Sequence, residues 1–172
     1  SAAGHIAIGQ GGIPQTAIDQ SAIEHASLGQ TGLNLARVIQ ELAKVITYIH
    51  ANGVVHGDIK PGNVMITQDG RVVLFDFGMG HWIGCAPTMD QAMAKQCMTP
   101  GYASYVRLND GVIDQAGDRF ALLALICRCI LGDRPFKNCK TVQDFERVLA
   151  HLHDLPVLNK YQRFFPQRIG IE

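Results

Sequence analysis

The sequence has no excess charge of either sign: lysine and arginine number 15, aspartate and glutamate number 15, and the formal net charge is zero. A nucleic-acid-binding domain ordinarily carries a basic excess, so no such partner is expected. No apolar run approaches the roughly 20 residues of a membrane-spanning helix, so no membrane segment is expected. The first residues lack a basic stretch followed by an apolar one, which speaks against a secretory leader. Cysteine forms no C-x-x-C pair: the five are Cys85, Cys97, Cys127, Cys129 and Cys139. That pattern suits neither a disulfide framework nor a zinc site, and the thiols are expected to be reduced packing groups of a cytoplasmic protein. Charged residues make up only 17% of the chain against 47% hydrophobic, enough to build a core in one domain or part of one. Basic residues are also missing from one region: residues 1–43 contain no lysine and one arginine, Arg37.

Residues 1–32 hold few signals beyond a glycine cluster at Gly9, Gly11 and Gly12. His5–Ile8 is compatible with a short strand and Thr16–Ala26 with a short helix. From Leu33 the pattern sharpens. Leu35, Val38, Ile39, Leu42, Val45, Ile46 and Ile49 recur at three-and-four spacing, one face of a helix that Asn52-Gly53 ends. Val54-Val55 begins an extended stretch. Two β-rich runs, Val64–Ile66 and Val72–Phe75, flank Asp69-Gly70 and predict a hairpin over 64–75. Residues 79–98 show no clean period and read as a long loop. Phe120–Leu131 is apolar nearly all round, broken only by Arg128, and predicts a buried helix stopped by Gly132 and Pro135. Val142–Leu152 is amphipathic, and Asn159–Phe165 reads as a last short helix.

The chemistry concentrates on either side of the hairpin. His56-Gly57-Asp58-Ile59-Lys60-Pro61-Gly62-Asn63 enters it, and Asp76-Phe77-Gly78 leaves it. The two ends of a hairpin lie side by side, so Asp58, Lys60, Asn63 and Asp76 are expected in one site. Two carboxylates, an amide oxygen and an ammonium suit Mg²⁺ with phosphate between them. Asn63 and Asp76 can hold metal. Lys60 can neutralise a transferring phosphoryl group, and Asp58 can orient an attacking hydroxyl and accept its proton.

These segments resemble the catalytic core of the eukaryotic-type protein kinases, whose Ser/Thr branch reads H-R-D-x-K-x-x-N followed by D-F-G. His56, Asp58, Lys60, Asn63, Asp76, Phe77 and Gly78 match, with the eighteen-residue step from Asp58 to Asp76 usual in the family. Thr99-Pro100-Gly101-Tyr102 is similar to the family's T-P-x-Y, and Asp118 is similar to the Asp that begins its central helix and braces the catalytic loop. Gly132–Phe136 resembles the closing G-x-x-P-F. The resemblance implies a mainly α (α+β) kinase C-lobe, helical with a short catalytic-loop hairpin and with the N-lobe largely absent. It implies a catalytic loop at 56–63, D-F-G at 76–78 and an activation segment at 76–106. It also implies Asp58 as catalytic base, Asn63 and Asp76 as Mg²⁺ ligands, and Lys60 on the γ-phosphate of ATP. Thr99 would bridge Asp58 and Lys60, and His56 and Phe77 would stack. Met65 would lie under the adenine, although a methionine in a hairpin reads equally well as plain core.

The sequence departs from the family at three places. Gly57 stands where the family has the Arg that pairs with an activation-segment phosphate, so switching by phosphorylation is not expected. Ser104-Tyr105-Val106 replaces A-P-E, which removes the Glu that normally pairs with a late Arg, here Arg168. No V-A-I-K follows the glycine cluster. His5–Ile8 is therefore expected to be the last upper-lobe strand, Gly9–Pro14 the hinge and residues 16–28 the short helix after it. On that reading residues 1–32 are an upper-lobe remnant and 33–172 the lower lobe. The resemblance implies a protein substrate with a Ser or Thr acceptor, with a regulatory partner or upper-lobe segment completing the cleft. The compact H-G-D-I-K-P-G-N form is also similar to bacterial kinase-like effectors secreted into a host cytosol. Two other readings stay open: a pseudokinase scaffold that binds a protein partner, and a small-molecule phosphotransferase with a similar H-G-D loop.

Overall fold

The computed structural model describes residues 35–67, 69–85 and 89–166. The expected strand at 5–8, the hinge at 9–14, the helix at 16–28 and Arg168 lie outside the described residues.

The first helix, α1 (Leu35–Ala51), buries Ile39, Leu42, Ile46 and Ile49, the stripe its spacing dictates. Gly53 follows with φ +76°, a left-handed conformation that favours glycine. Strand β1 (Val54–Val55) comes next, then a 3₁₀ turn at Pro61–Asn63 that leads directly into the hairpin. Its strands are β2 (Val64–Ile66) and β3 (Val72–Leu74), antiparallel with Val64 opposite Leu74, Met65 opposite Val73 and Ile66 opposite Val72. Val64 and Leu74 face the main core. Alternation puts the half-buried Met65 on the other face, away from that core.

The segment expected to be a long loop contains two elements. Strand β4 (His81–Trp82) pairs antiparallel with β1, Val54 opposite Trp82 and Val55 opposite His81. A two-residue strand has no period to read, and its stabilising ladder lies with a distant partner. Helix α2 (Gln91–Gln96) is likewise too short for periodicity, and starts where the Asp90 side chain accepts the Met93 amide at 2.8 Å. A second short helix, α3 (Tyr105–Asp110), was not expected either; Ser104 caps its start and Gly111, φ +72°, its end.

The central helix α4 (Gln115–Leu131) begins three residues before Asp118 rather than at it. The reason is Asp114, whose carboxylate accepts the Gly117 amide at 2.7 Å and sets the cap there. Asp118 therefore lies in the first turn. The helix is buried almost all round, with Leu123, Ile126 and Cys127 fully enclosed, and packs against α1 and the C-terminal segment. Helix α5 (Val142–His153) opens on a capping box between Thr141 and Asp144. The chain then runs through a 3₁₀ segment, Pro156–Phe164, longer than the expected 159–165 helix at its start because Pro156 suits a first turn. Phe120, Phe136 and Phe145 join α4, the following loop and α5, with ring centroids 4.7–5.8 Å apart.

A second, smaller core gathers Val55, Ala94 and Ile113, flanked by Met79 and Met89. It ties β1 to α2 and to the loop before α4. Cys127, Cys129 and Cys139 are buried as expected, and burial pushes the thiols of Cys127 and Cys129 up to about 12. Cys85 and Cys97 are exposed, so these two are not packing groups. Among the described residues no helix is long and apolar enough to cross a membrane.

Candidate active site

The loop after β1 is braced from below by one buried carboxylate. Asp118, 1% exposed, accepts the His56 amide at Oδ2 and the Gly57 amide at Oδ1, each at 2.8 Å. His50 Nε2, from the last turn of α1, reaches the same Oδ2 at 2.9 Å. Three donors satisfy a charge that would otherwise be costly to bury. The backbone turns at Gly57, φ +80°, where a Cβ would lie 2.7 Å from Ile113 Cγ2 and 2.8 Å from the Met79 carbonyl. Gly57→Ala is therefore expected to lower the unfolding free energy by about 1–3 kcal/mol, measured by urea denaturation. A loss under a few tenths would show that this turn tolerates a side chain.

His56 links the two ends of the hairpin. Its amide neighbour Asp58 N–H donates to Nδ1 at 3.2 Å, so the ring proton sits on Nε2, which donates to the Phe75 carbonyl at 3.0 Å. Burial holds the imidazole below its ordinary pKa, against the opposing pull of the Phe75 carbonyl and of Asp118, and the neutral tautomer fits both bonds. The Phe77 ring lies 4.6 Å from the His56 ring, tilted at 56° rather than stacked parallel.

Above this base, Asp58, Lys60 and Thr99 close a triangle. Lys60 Nζ donates to Asp58 Oδ2 at 2.6 Å and to Thr99 Oγ1 at 3.2 Å, and Thr99 Oγ1 donates to Asp58 Oδ1 at 3.0 Å. Asn63 joins through its amide nitrogen, which donates to the Asp58 carbonyl at 2.8 Å and to Oδ2 at 3.2 Å. The structure thus brings Asp58, Lys60, Asn63 and Thr99 into direct contact.

Asp76 stands just past the second strand of the hairpin. The Phe75 amide donates to the Asn63 carbonyl at 3.1 Å, which sets Asp76 at the next position. Its exposed side chain accepts the Gly78 amide at 3.3 Å. Asp76 is the one non-glycine among the described residues with positive φ, 63°, a conformation that persists where surrounding structure imposes it. Met65, half-buried, lies on the hairpin face away from the main core, which leaves it free to contact something other than core.

The donor types of Asn63 and Asp76 suit a hard cation such as Mg²⁺. With its nitrogen committed to Asp58, Asn63 offers its oxygen, and Asp76 offers a carboxylate at the solvent side. Among the described residues no three His, Cys, Asp or Glu side chains converge. A cation here would take one or two protein oxygens and complete its shell from phosphate and water, as Mg²⁺ commonly does. The cavity beside the triangle, lined by Asp58, Thr99, Tyr102 and Asp118 among others, has about 30 Å³, room for water rather than a nucleotide.

Two residues at the base of the site escaped the sequence reading. His50 gives no signal beyond a polar residue in a helix's last turn. Arg107 is 5% exposed and donates from Nε to the Ala94 carbonyl at 3.0 Å and from Nη1 to the Gly57 carbonyl at 3.2 Å. The Ser104 and Gly111 caps could have disclosed α3, but not that its arginine points inward.

The catalytic-loop and D-F-G segments that resemble those of protein kinases thus stand at the two ends of one short hairpin. The protein kinase domain family matches residues 15–168, and the chain belongs to that family. Among curated proteins it is similar to a probable serine/threonine-protein kinase of Dictyostelium discoideum, 31% identical over 130 residues that cover 73% of this chain and 9% of that protein. It is also similar to the 3-phosphoinositide-dependent protein kinase 1 of Homo sapiens, at 27% over 128 residues, 74% of this chain and 22% of the relative. Serine/threonine-protein kinase PknF of Mycobacterium tuberculosis matches at 29% over 114 residues, 64% of this chain and 24% of the relative. The chain thus spans less than a quarter of each of these relatives.

Proposed function

We propose that this chain forms the substrate-side lobe of a serine/threonine protein kinase that transfers the γ-phosphoryl group of ATP to a Ser or Thr hydroxyl. The observation that carries the reading is the triangle of Asp58, Lys60 and Thr99. Asp58 orients the acceptor hydroxyl and takes its proton as the new P–O bond forms and the bond from the γ-phosphorus to the β-phosphate oxygen breaks, releasing ADP. Lys60 Nζ, 2.6 Å from Asp58, is placed to offset negative charge on the phosphoryl oxygens. Thr99 bridges these two side chains, and this favours a protein Ser/Thr acceptor over a small-molecule one. Asn63 and Asp76 are the residues that would hold Mg²⁺, which when bound neutralises charge on the β- and γ-phosphates.

On this reading residues 33–172 belong to the lower lobe. Met65 is the floor of the adenine site. Met65, Asn63 and Asp76 lie outside the 30 Å³ cavity, and Asp76 is exposed, so a nucleotide held by them would need a second surface over it. An upper-lobe segment or a regulatory partner would supply it.

The test is thermal unfolding with Mg²⁺ and ATP. The chain joined to a complete upper lobe should melt roughly 5–10 °C higher when ATP stands at about 100 times its Kd. EDTA should abolish the shift. A complete protein that does not respond would overturn the enzyme reading and leave a scaffold.

A further inference from the structure

The family resemblance assigns a clamp on the activation segment to the catalytic-loop arginine and a phosphate. This chain has Gly57 at that position, and no side chain fits there. The φ of +80° disfavours one, and Ile113 Cγ2 and the Met79 carbonyl occupy its space at 2.7 and 2.8 Å.

A guanidinium nevertheless stands at the junction, and it comes from a different element. Arg107 lies fifty residues along the chain from Gly57, on α3. One edge of its planar fork reaches the Gly57 carbonyl at 3.2 Å, next to Asp58; Nε reaches the Ala94 carbonyl of α2 at 3.0 Å. Ala94 is 1% exposed and belongs to the smaller core with Val55 and Ile113. The same arginine therefore touches the catalytic loop and the middle of the activation segment. Burial lowers its pKa, while Asp58 and Asp118 favour its charged form. A buried guanidinium needs partners for its donors, and here two backbone carbonyls meet two of the five.

We infer that Arg107 is a positioning residue: it latches α2 of the activation segment to the catalytic loop and so sets Asp58 and Thr99 in register without a phosphate. The catalytic consequence rests on the kinase reading above; the latch itself does not. Two carbonyls on different segments, held by one rigid fork, remove the freedom of the segment between them. A phosphate-independent latch also accounts for a glycine being tolerable where the family carries an arginine.

The experiment compares Arg107→Met and Arg107→Lys with the unmodified chain by amide hydrogen exchange, and by kinetics in the protein with a complete upper lobe. Arg107→Met should speed exchange at least tenfold over residues 91–102 while amides of α4 and α5 keep their protection. Arg107→Lys, which keeps the charge but loses the fork, should fall between. In kinetics, Arg107→Met should lower kcat roughly 10–100-fold with the KM for ATP unchanged. Phosphatase treatment of the unmodified protein should change neither readout. Equal acceleration in every helix would mean that Arg107 only supports the fold, and would overturn the latch. So would unchanged protection over 91–102, or protection that depends on phosphorylation. If the unmodified protein transfers no phosphate but the exchange pattern holds, the latch stands and the kinase reading falls.

Discussion

Asp58→Asn should abolish measurable phosphoryl transfer to a Ser/Thr substrate, with kcat down by about 10²–10⁴-fold, while the melting shift with Mg²⁺ and ATP persists. The substitution keeps the shape of the side chain and one acceptor oxygen. It removes the capacity to take a proton and the negative charge that Lys60 meets at 2.6 Å. Asn63 keeps its 2.8 Å bond to the backbone carbonyl of residue 58 and Asp76 is unchanged, so nucleotide binding should survive. The assay is a single-turnover transfer measurement on the protein with a complete cleft, run beside thermal unfolding of the same sample. Transfer at more than about a tenth of the original rate would show that another group accepts the proton, and the assignment of Asp58 would fail. Loss of both transfer and the melting shift would place Asp58 in nucleotide binding instead.

Asp118→Ala should be the most destabilising single change at this site. It strips the acceptor from the His56 and Gly57 amides and from His50, all within 2.9 Å of a fully buried carboxylate. Breaking a buried, hydrogen-bonded charge typically costs about 3–5 kcal/mol. For a domain of this size that is a fall in Tm of roughly 6–20 °C. Asp118→Asn keeps one acceptor oxygen and should cost less. Urea denaturation of this chain by itself checks the prediction, since every partner lies within it. A loss below about 1 kcal/mol for Asp118→Ala would mean that water satisfies the loop amides and that the carboxylate is not their brace.

The candidate site was legible in the sequence to an unusual depth because its chemistry is written in short, ordered segments. His56, Asp58, Lys60 and Asn63 fall within eight residues, and the hairpin that follows is announced by two β-rich runs around Asp69-Gly70. A hairpin has only one way to bring its ends together, so the bond of the Phe75 amide to the Asn63 carbonyl followed from the pattern. The long helices were equally plain, because a stripe such as Ile39, Leu42, Ile46 and Ile49 repeats over several turns. The elements that were missed are those with no room for repetition. His81–Trp82 has two residues, α2 and α3 have six each, and their stability is supplied by caps and by a partner elsewhere in the chain. The start of α4 was misplaced because apolar content begins at Phe120, whereas the cap that fixes the helix is the polar Asp114.

Taken alone, the sequence pointed to the protein kinase family and to the polar residues of one short loop, because that loop's residues lie close together along the chain. It also showed what was missing, an arginine before Asp58 and a glutamate after Tyr102. The Asp118 brace, sixty-two residues from His56, was expected from the resemblance; that Arg107 meets the Gly57 carbonyl from fifty residues away was decided by the tertiary structure alone. Neither the burial of a side chain nor the direction it takes can be read from its neighbours in sequence. Both depend on which surfaces the hydrophobic cores press together, and here the small core of Val55, Ala94 and Ile113 holds the segment that Arg107 crosses.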